Sequence, residues 1–345
     1  MPGSRAMSPI LPTRRSRRPL RVAVSPDLTE IPVAWRELGR LLVSPFAQIV
    51  LAEIEDDQVV VREDVDAIVA FAPRVTERTL TPSVRLVARL GVGYENVDLA
   101  ACNARGVAVT ITPDAVRRPV ASAAVAMLLA IAHNLVVKDE LVRAGRWAER
   151  HAYIGNDISG KTAGFVGFGN LGREIARLLA PWNMNVIACR GDATDKSADR
   201  DQVGSLEDVL QAADALFIVC PLNDSTRNLI GQRELEMMKP SAVLINIARG
   251  AIVQEDALIR ALQNGTIRAA GLDVFAEEPL SPGHPLTQLA NVLLAPHSLG
   301  HLDSLFENAV ANIVEELETL RRGGAHLHLV RQTVAPDHAG EPKAS

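Results

Sequence analysis

Lys161–Arg190 reads KTAGFVGFGNLGREIARLLAPWNMNVIACR, an order of residue types that predicts a strand, a glycine turn, a helix and a second strand. Ala163 to Val166 begins a short apolar run. Gly167, Gly169 and Gly172 follow in G-x-G-x-x-G spacing: the first permits the turn, the second lets a pyrophosphate approach the backbone, and the third lets helix pack on strand. In GREIARLLAPW, Ile175, Leu178 and Leu179 share one face at i, i+3 and i+4, suited to docking on a sheet. The helix start would point free N–H groups at phosphate. With the second strand, Asn185 to Cys189, the unit predicts dinucleotide binding.

The residue after that second strand normally decides the cofactor. An acid there accepts hydrogen bonds from the ribose hydroxyls, whereas an arginine favours a 2′-phosphate. Arg190 stands here, followed by Gly191 and Asp192. We expect NADP to be preferred over NAD; the alternative is a solvated Arg190, with Asp192 or a backbone group reaching the ribose.

Working outward, the alternation continues on both sides. Leu20 to Ser25 is the first strand, and Asp66 to Ala70, Val84 to Leu90 and Val107 to Ile111 follow, with a helix over Ala100 to Arg105. The strand at Val84 runs into Gly91-Val92-Gly93-Tyr94, where glycines let backbone N–H groups face an anion; the alternative is a plain strand-to-turn transition. Pro113 is expected to close a strand, and a helix apolar on nearly every face runs from Arg118 or Pro119 to Leu135. Beyond the glycine turn, strands are expected at Ala215 to Cys220, Ala242 to Ile247, Ala269 to Val274 and Asn291 to Ala295, making a six-stranded dinucleotide-binding sheet. Val203 to Ala212 and Glu255 to Asn264 read as helices. A last amphipathic helix, Asp303 to Arg322, ends at Gly323-Gly324.

The 345 residues suggest two domains at about 100–200 residues each. A hydrophobic fraction of 48% and a net charge of -5 describe an ordinary globular chain and give no reason to expect nucleic acid or an anionic membrane as partner. Cys102, Cys189 and Cys220 show no metal-ligand or redox spacing, so no metal is expected and the thiols read as buried in a reducing compartment. No apolar run is expected to reach the roughly 18 residues of a membrane span. Met1 to Pro26 carries arginines and no acid, as transit peptides do, but Pro2, Pro9, Pro12 and Pro19 would break the helix such a peptide needs. A disordered leader and a cytoplasmic protein are expected.

Three polar residues fall just after strand ends, where open α/β sheets bind ligands: Arg249, Glu278 and His297. A guanidinium at Arg249 can bind a carboxylate bidentately and polarise the neighbouring carbonyl. Histidine as a residue type titrates near working pH, so an imidazole at position 297 can give or take the proton that accompanies hydride transfer. Glu278 would hold the imidazole and favour its charged form. Each alone reads as a surface charge or a packing histidine; shared placement makes them a set. Asp273 ends an apolar strand, where an unpaired carboxylate is costly; a nicotinamide amide, a helix cap or a structural ion pair would satisfy it.

The phrases LGVGYENVDLAAC, GKTAGFVGFGNLG, CPLNDSTRNLI, MMKPSAVLINIARGAIV, AAGLDVFAEEP and NVLLAPHSLG together resemble the D-isomer-specific 2-hydroxyacid dehydrogenases, which include glyoxylate and hydroxypyruvate reductases, D-lactate dehydrogenase and phosphoglycerate dehydrogenase. The resemblance spans most of Ala67 to Gly300. It implies a Rossmann dinucleotide-binding domain, residues 118–298, inserted in a flavodoxin-like α/β substrate-binding domain, residues 20–117 and 299–335, between a leader at 1–19 and a tail at 336–345. It implies hydride transfer between NAD(P)H and a 2-oxo acid, or a 2-hydroxy acid in reverse, by a homodimer, with Arg249, Glu278 and His297 as the catalytic set. Val92 and Gly93 would offer amides to the substrate carboxylate. Asn170 and Leu171 would meet the pyrophosphate, and Cys220, Pro221, Thr226, Ile247, Ala248 and Asp273 would line the rest of the cofactor path.

Departures from the family pattern shape the expectations. Arg190 replaces the usual acid. Val116 and Ser122 stand where an asparagine and a V-A-E phrase are common, around Arg117 and Arg118, so a second anionic group of the substrate is expected near Arg118. Phosphoglycerate is disfavoured because Ala70 and Ala72 occupy the positions of phosphate-binding arginines; formate is disfavoured by the Glu278–His297 pair. The alternative function is a cofactor-sensing scaffold of the co-repressor kind.

Overall fold

The structure is a computed structural model that describes residues 18–42, 47–189 and 203–330. The chain divides into two compact units, Met1–Val116 with Asp303–Ser345, and Arg117–Leu302. The expected tail at 336–345 and most of the leader lie outside the described residues. Arg18, expected in the leader, is ion-paired with the buried Asp66 at 2.9 Å.

In the first unit, β1 (Leu20–Val24), β2 (Ala47–Leu51), β3 (Ala67–Ala70), β4 (Leu86–Arg89) and β5 (Ala108–Thr110) form a five-stranded parallel sheet in the order β2-β1-β3-β4-β5. That is the flavodoxin-like order. Every residue of β3, AIVA, is buried, because apolar layers cover both faces. Leu28, Leu38 and the helix Asp303–Arg322, through Leu305, Ala309, Ile313, Leu317 and Leu320, cover one face. Val59, Val65, Val97 and Cys102 cover the other. Past that helix, Gly323 takes φ +70 and Gly324 N–H donates to Thr319 O at 3.0 Å, a left-handed cap. The chain then returns along β5, with Leu329 opposite Thr110 in antiparallel sense and Val330 N–H on Val109 O at 2.8 Å.

In the second unit, β6 (Thr162–Val166), β7 (Asn185–Cys189), β8 (Ala215–Ile218), β9 (Val243–Asn246), β10 (Ala269–Leu272) and β11 (Val292–Leu294) form a six-stranded sheet in the order β7-β6-β8-β9-β10-β11. Every neighbouring pair is parallel. A lone parallel bridge from Ala188 to Val203 adds one more position outside β7. Counting it, seven positions run in the order 3-2-1-4-5-6 of dinucleotide-binding sheets with β11 added at the far edge, and the strand order reverses between β6 and β8. Ligands bind outside the carboxyl ends of strands at that reversal, which is where the glycine turn lies.

The long apolar helix corrects two expectations. It starts at Pro113, not at Arg118 or Pro119, and runs to Ala132 with Pro119 in its interior. A proline's fixed φ suits the first turn, while Pro119 merely lacks an N–H for the carbonyl one turn back. At 20 residues it is long and apolar enough to cross a membrane by length and composition, although 56% of its apolar window is buried inside the protein, as in a core helix. Ala121, Ala124, Met127 and Leu128 pack with Phe165, Phe217 and Ile245. Gly271 in β10 makes that approach possible, since a β-carbon there would lie 2.5 Å from Met127 Sδ. The helix expected over Val203 to Ala212 begins at Leu206, behind a Ser205–Asp208 capping box.

Candidate active site

The glycine turn is shaped for a phosphate. Gly167 takes φ +89, and a β-carbon on it would lie 2.8 Å from the Cys220 backbone N, so only glycine fits between β6 and the chain leaving β8. Gly169 has open space where its β-carbon would be. It caps the helix Asn170–Leu179 with no side-chain hydrogen bond to the first-turn amides, which leaves the N–H groups of Asn170 and Leu171 available to an anion. Gly172, Ile175 and Leu179 are buried against the sheet. Around the turn, Ile247 and Cys220 are nearly buried, and Thr226 Oγ1 donates to Pro221 O at 2.7 Å, shaping the loop after β8. Burial raises the Cys220 thiol to about 11, so it serves as packing rather than as a nucleophile. These residues fit a dinucleotide. Arg190 lies outside the described residues.

The three candidate catalytic residues follow β9, β10 and β11. Arg249 sits in a turn bracketed by Asn246, buried at the end of β9, whose Nδ2 donates to Arg249 O at 3.0 Å and whose Oδ1 accepts Ala248 N–H at 3.1 Å. The next residue, Gly250, lies so close to the loop after β10 that a β-carbon would be 1.9 Å from the Phe275 carbonyl carbon. That loop carries Glu278, whose Oε1 accepts Phe275 N–H at 2.9 Å. Its Oε2 lies 2.6 Å from His297 Nδ1. Nδ1–H therefore faces the carboxylate and Nε2 is left for a substrate. Burial pushes the Glu278 carboxyl up, but bonds from His297 and the Phe275 amide, with the charges of His297 and Arg249, hold it below the usual carboxylate range.

His297 has φ +51, left-handed backbone that a non-glycine residue adopts at a cost of about 1–3 kcal/mol. Asp273 holds the turn that enforces it. Its Oδ1 accepts Ser298 N–H at 3.0 Å and Leu299 N–H at 3.1 Å. The structure thus puts the Asp273 carboxylate on the backbone behind His297, in place of the cap or ion pair weighed from the sequence. Burial outweighs those amides and raises the Asp273 carboxyl above its usual range. Gly300 seals the turn, since a β-carbon there would be 2.7 Å from Val120 Cγ2. The turn belongs to the same unit as Val120.

Within the first unit, Gly91 is pinned at the end of β4: its N–H donates to Thr112 Oγ1 at 2.8 Å and its carbonyl accepts Thr112 N–H at 2.9 Å. Val92 beyond it is exposed. Arg118, in the second unit, pairs with Glu174 at 2.8 Å, and Glu174 also pairs with Arg177 at 2.7 Å, so the Arg118 charge is shared with a carboxylate. Sequence reasoning missed Asn246, Thr112 and Gly250. A polar residue closing the apolar strand VLIN was the available signal for Asn246; the contact that demands Gly250 is between distant segments and leaves no local trace.

A Rossmann sheet, a glycine turn open to phosphate, and an imidazole–carboxylate pair beside an arginine define a nicotinamide-dependent oxidoreductase. Residues 125–298 match the model of the D-isomer specific 2-hydroxyacid dehydrogenase NAD-binding domain. The chain is 38% identical over 286 residues to the glyoxylate reductase of Pyrococcus furiosus, covering 79% of this chain and 84% of that one. It is 37% identical over 262 residues to the glyoxylate reductase of Aeropyrum pernix, covering 73% and 78%. Among solved structures, the NADPH-dependent glyoxylate/hydroxypyruvate reductase of Sinorhizobium meliloti, in complex with NADP and malonate, superposes with TM-score 0.78 at 31% identity, covering 91% of this chain and 97% of that one. This chain belongs to the D-isomer-specific 2-hydroxyacid dehydrogenases, and it is an NAD(P)-dependent enzyme of 2-oxo acid reduction.

Proposed function

We propose that the protein is a reductase of small 2-oxo acids such as glyoxylate and hydroxypyruvate, preferring NADPH, with Arg249, Glu278 and His297 as its catalytic residues. The observation that carries the catalytic assignment is the 2.6 Å contact between His297 Nδ1 and Glu278, which leaves Nε2 to serve the substrate. The bound cofactor supplies the hydride that adds to the carbonyl carbon. Arg249 binds the carboxylate and carbonyl oxygen of the 2-oxo acid, and the family resemblance assigns the Val92 and Gly93 amides to a substrate carboxylate. His297 Nε2–H donates the proton to the carbonyl oxygen, and the ionised Glu278 stabilises the imidazolium before that donation. In oxidation the same groups act in reverse. Asn170 and Leu171 amides hold the pyrophosphate. Asp273 acts from behind, fixing the His297 turn.

Cofactor choice rests on Arg190 in the sequence, and the NADPH-dependent S. meliloti relative agrees in kind. Arg118 is retained as a contact for a second anionic group only for substrates that can compete with Glu174. Equal activity of Arg118→Ala on the preferred acid removes it. We infer a homodimer from the apolar surface at Leu135, Val136, Val142, Trp147 and Ile154, all exposed in the single chain. A cytoplasmic setting fits the free thiols of Cys102, Cys189 and Cys220.

The test follows reduced-nicotinamide absorbance with NADPH and NADH in parallel against glyoxylate, hydroxypyruvate, pyruvate and bulkier 2-oxo acids. Faster NADPH oxidation on the smallest acids is expected. Faster NADH oxidation rejects the role of Arg190, and preference for bulky acids rejects the substrate assignment.

A further inference from the structure

The loop after β10 must hold Glu278 within hydrogen-bond reach of His297, yet it has little burial of its own with which to do so. Residues 276–279 and 281–283 are exposed. Phe275, Leu280 and Leu286 anchor the segment to the core beneath it. Exposed chain with few apolar contacts opens locally at small cost, so the position of Glu278 depends on polar ties. One is the bond from Phe275 N–H to Glu278 Oε1. Two more come from a residue outside the loop.

Glu255 begins the helix Glu255–Gln263. Both oxygens of its carboxylate reach the loop: Oε2 accepts Ala276 N–H at 3.2 Å, and Oε1 lies 3.2 Å from His284 Nε2. The other ring nitrogen identifies the donor, since His284 Nδ1 accepts Leu286 N–H at 3.3 Å and the ring proton is therefore on Nε2. An acid in the first turn of a helix is ordinarily explained by the helix dipole, which asks for charge and needs no partner. Glu255 instead joins the two ends of segment 276–284, with Glu278 inside the loop so closed. The two side chains are only 20% and 19% exposed, which shields their contact from competing water.

We propose that Glu255 is a positioning residue for the proton step, acting through the loop it closes with His284 to keep Glu278 on His297. The inference rests on the reading of Glu278 and His297 as the acid–base pair. It deepens that reading by adding a second carboxylate–imidazole pair, Glu255 with His284, whose work is to hold the first in place.

The experiment is a double-mutant cycle in the full-length protein, with Glu255→Ala, Glu278→Gln and the two combined. Steady-state reduction of glyoxylate is measured at saturating NADPH across a range of pH. Glu255→Ala is expected to lower kcat by about tenfold or more, since a misplacement of about 1 Å can cost about 10²-fold, while KM for NADPH is unmoved. The alkaline limb of its rate profile should shift to lower pH, because an imidazolium whose carboxylate has drifted gives up its proton more readily. Arg249, Asp273 and His301, the other groups whose charges act on Glu278 or His297, are the same in every variant, so the limb reports Glu278. In the Glu278→Gln background, Glu255→Ala is expected to cost less than about twofold. A residue that only stabilises the fold would lower kcat by the same factor in both backgrounds, and that result overturns the proposal. Wild-type kcat in Glu255→Ala, or an unmoved alkaline limb, overturns it too. If Glu255→Ala does not fold, Glu255→Gln, which keeps an acceptor for one end of the loop, decides by the same comparison. Impaired Glu278→Gln beside unimpaired Glu255→Ala refutes this inference alone. Glu278→Gln as fast as wild type, or a wild type inactive on glyoxylate, refutes the underlying reading and this inference with it.

Discussion

At the residue scale, the site depends on close fits that fix where three side chains begin. His297→Ala removes the group assigned to donate the proton, and kcat for 2-oxo acid reduction should fall by about 10²–10⁴-fold while fluorescence titration with NADPH still reports cofactor binding. Retained turnover would return the proton step to solvent. Gly250→Ala tests the same site without touching a reacting group. Its β-carbon would meet the Phe275 carbonyl carbon at 1.9 Å, so the loop carrying Glu278 must move. Overpacking of this kind costs about 1–3 kcal/mol, and a shifted Glu278 no longer reaches His297. A lowered melting temperature with a disproportionate loss of kcat is expected; wild-type kcat would show that the loop can yield elsewhere. The strand-end placement of Arg249, Glu278 and His297 was legible in the sequence because each follows an apolar strand. The device that aims His297 was less so. Asp273 was visible as a costly carboxylate at a strand end, but its partners are backbone amides of a turn some two dozen positions on, and a sequence does not announce backbone partners.

Elements were legible where side-chain periodicity and end signals agree, and misjudged where proline was read by rule. The helix Asp303–Arg322 has an apolar stripe and a glycine cap, and both ends fall where expected. The helix Pro113–Ala132 begins more than a turn before the Arg118 or Pro119 start that its apolar run suggests; tertiary packing of Ala121, Ala124 and Leu128 outweighs the one hydrogen bond that Pro119 forfeits. Nothing in the sequence pattern marks the return of the chain along β5, which depends on Glu316. This carboxylate, 2% exposed, accepts His326 Nδ1 at 2.7 Å, His328 N–H at 3.1 Å and Leu327 N–H at 3.2 Å. Burial pushes the group up, but the His326 bond and the His328 amide outweigh it and hold it below its ordinary value of 4.5. A carboxyl depressed in the folded state contributes stability that is fully present above the unfolded value and lost as pH falls through the folded one. Glu316→Gln should therefore be less stable than wild type at pH 7 by about 1–3 kcal/mol, with the gap closing as pH is taken below 4.5. Chemical denaturation at a series of pH values checks this; a gap independent of pH would assign the residue to packing alone.

At the scale of the whole molecule, the sheet orders follow from alternation of apolar runs and helices, and the family phrases supply their sequence order. What alternation leaves open is the surface on which copies of the chain would meet. Helix Leu135–Arg143 and the segment after it expose Leu135, Val136, Val142, Trp147 and Ile154, the last 80% accessible although its carbonyl is fixed by Asn134 Nδ2 at 3.1 Å. Four of the charges between them are paired within the chain, Arg143 with Asp139 at 2.6 Å and Arg146 with Glu149 at 2.6 Å. Intramolecular pairing leaves the apolar side chains as the part of this surface with most to gain from leaving water. A second copy presenting the same patch satisfies both, since an isologous contact needs only self-complementarity. Aromatic anchors at such interfaces are worth about 2–4 kcal/mol each. Trp147→Glu combined with Val142→Glu should therefore raise the dimer dissociation constant by at least about thirtyfold, giving monomers by light scattering at micromolar protein. Both positions are on the surface of the single chain, so the variant should retain its far-ultraviolet circular dichroism. A variant that remains dimeric would place the subunit contact elsewhere and leave this patch for a different partner.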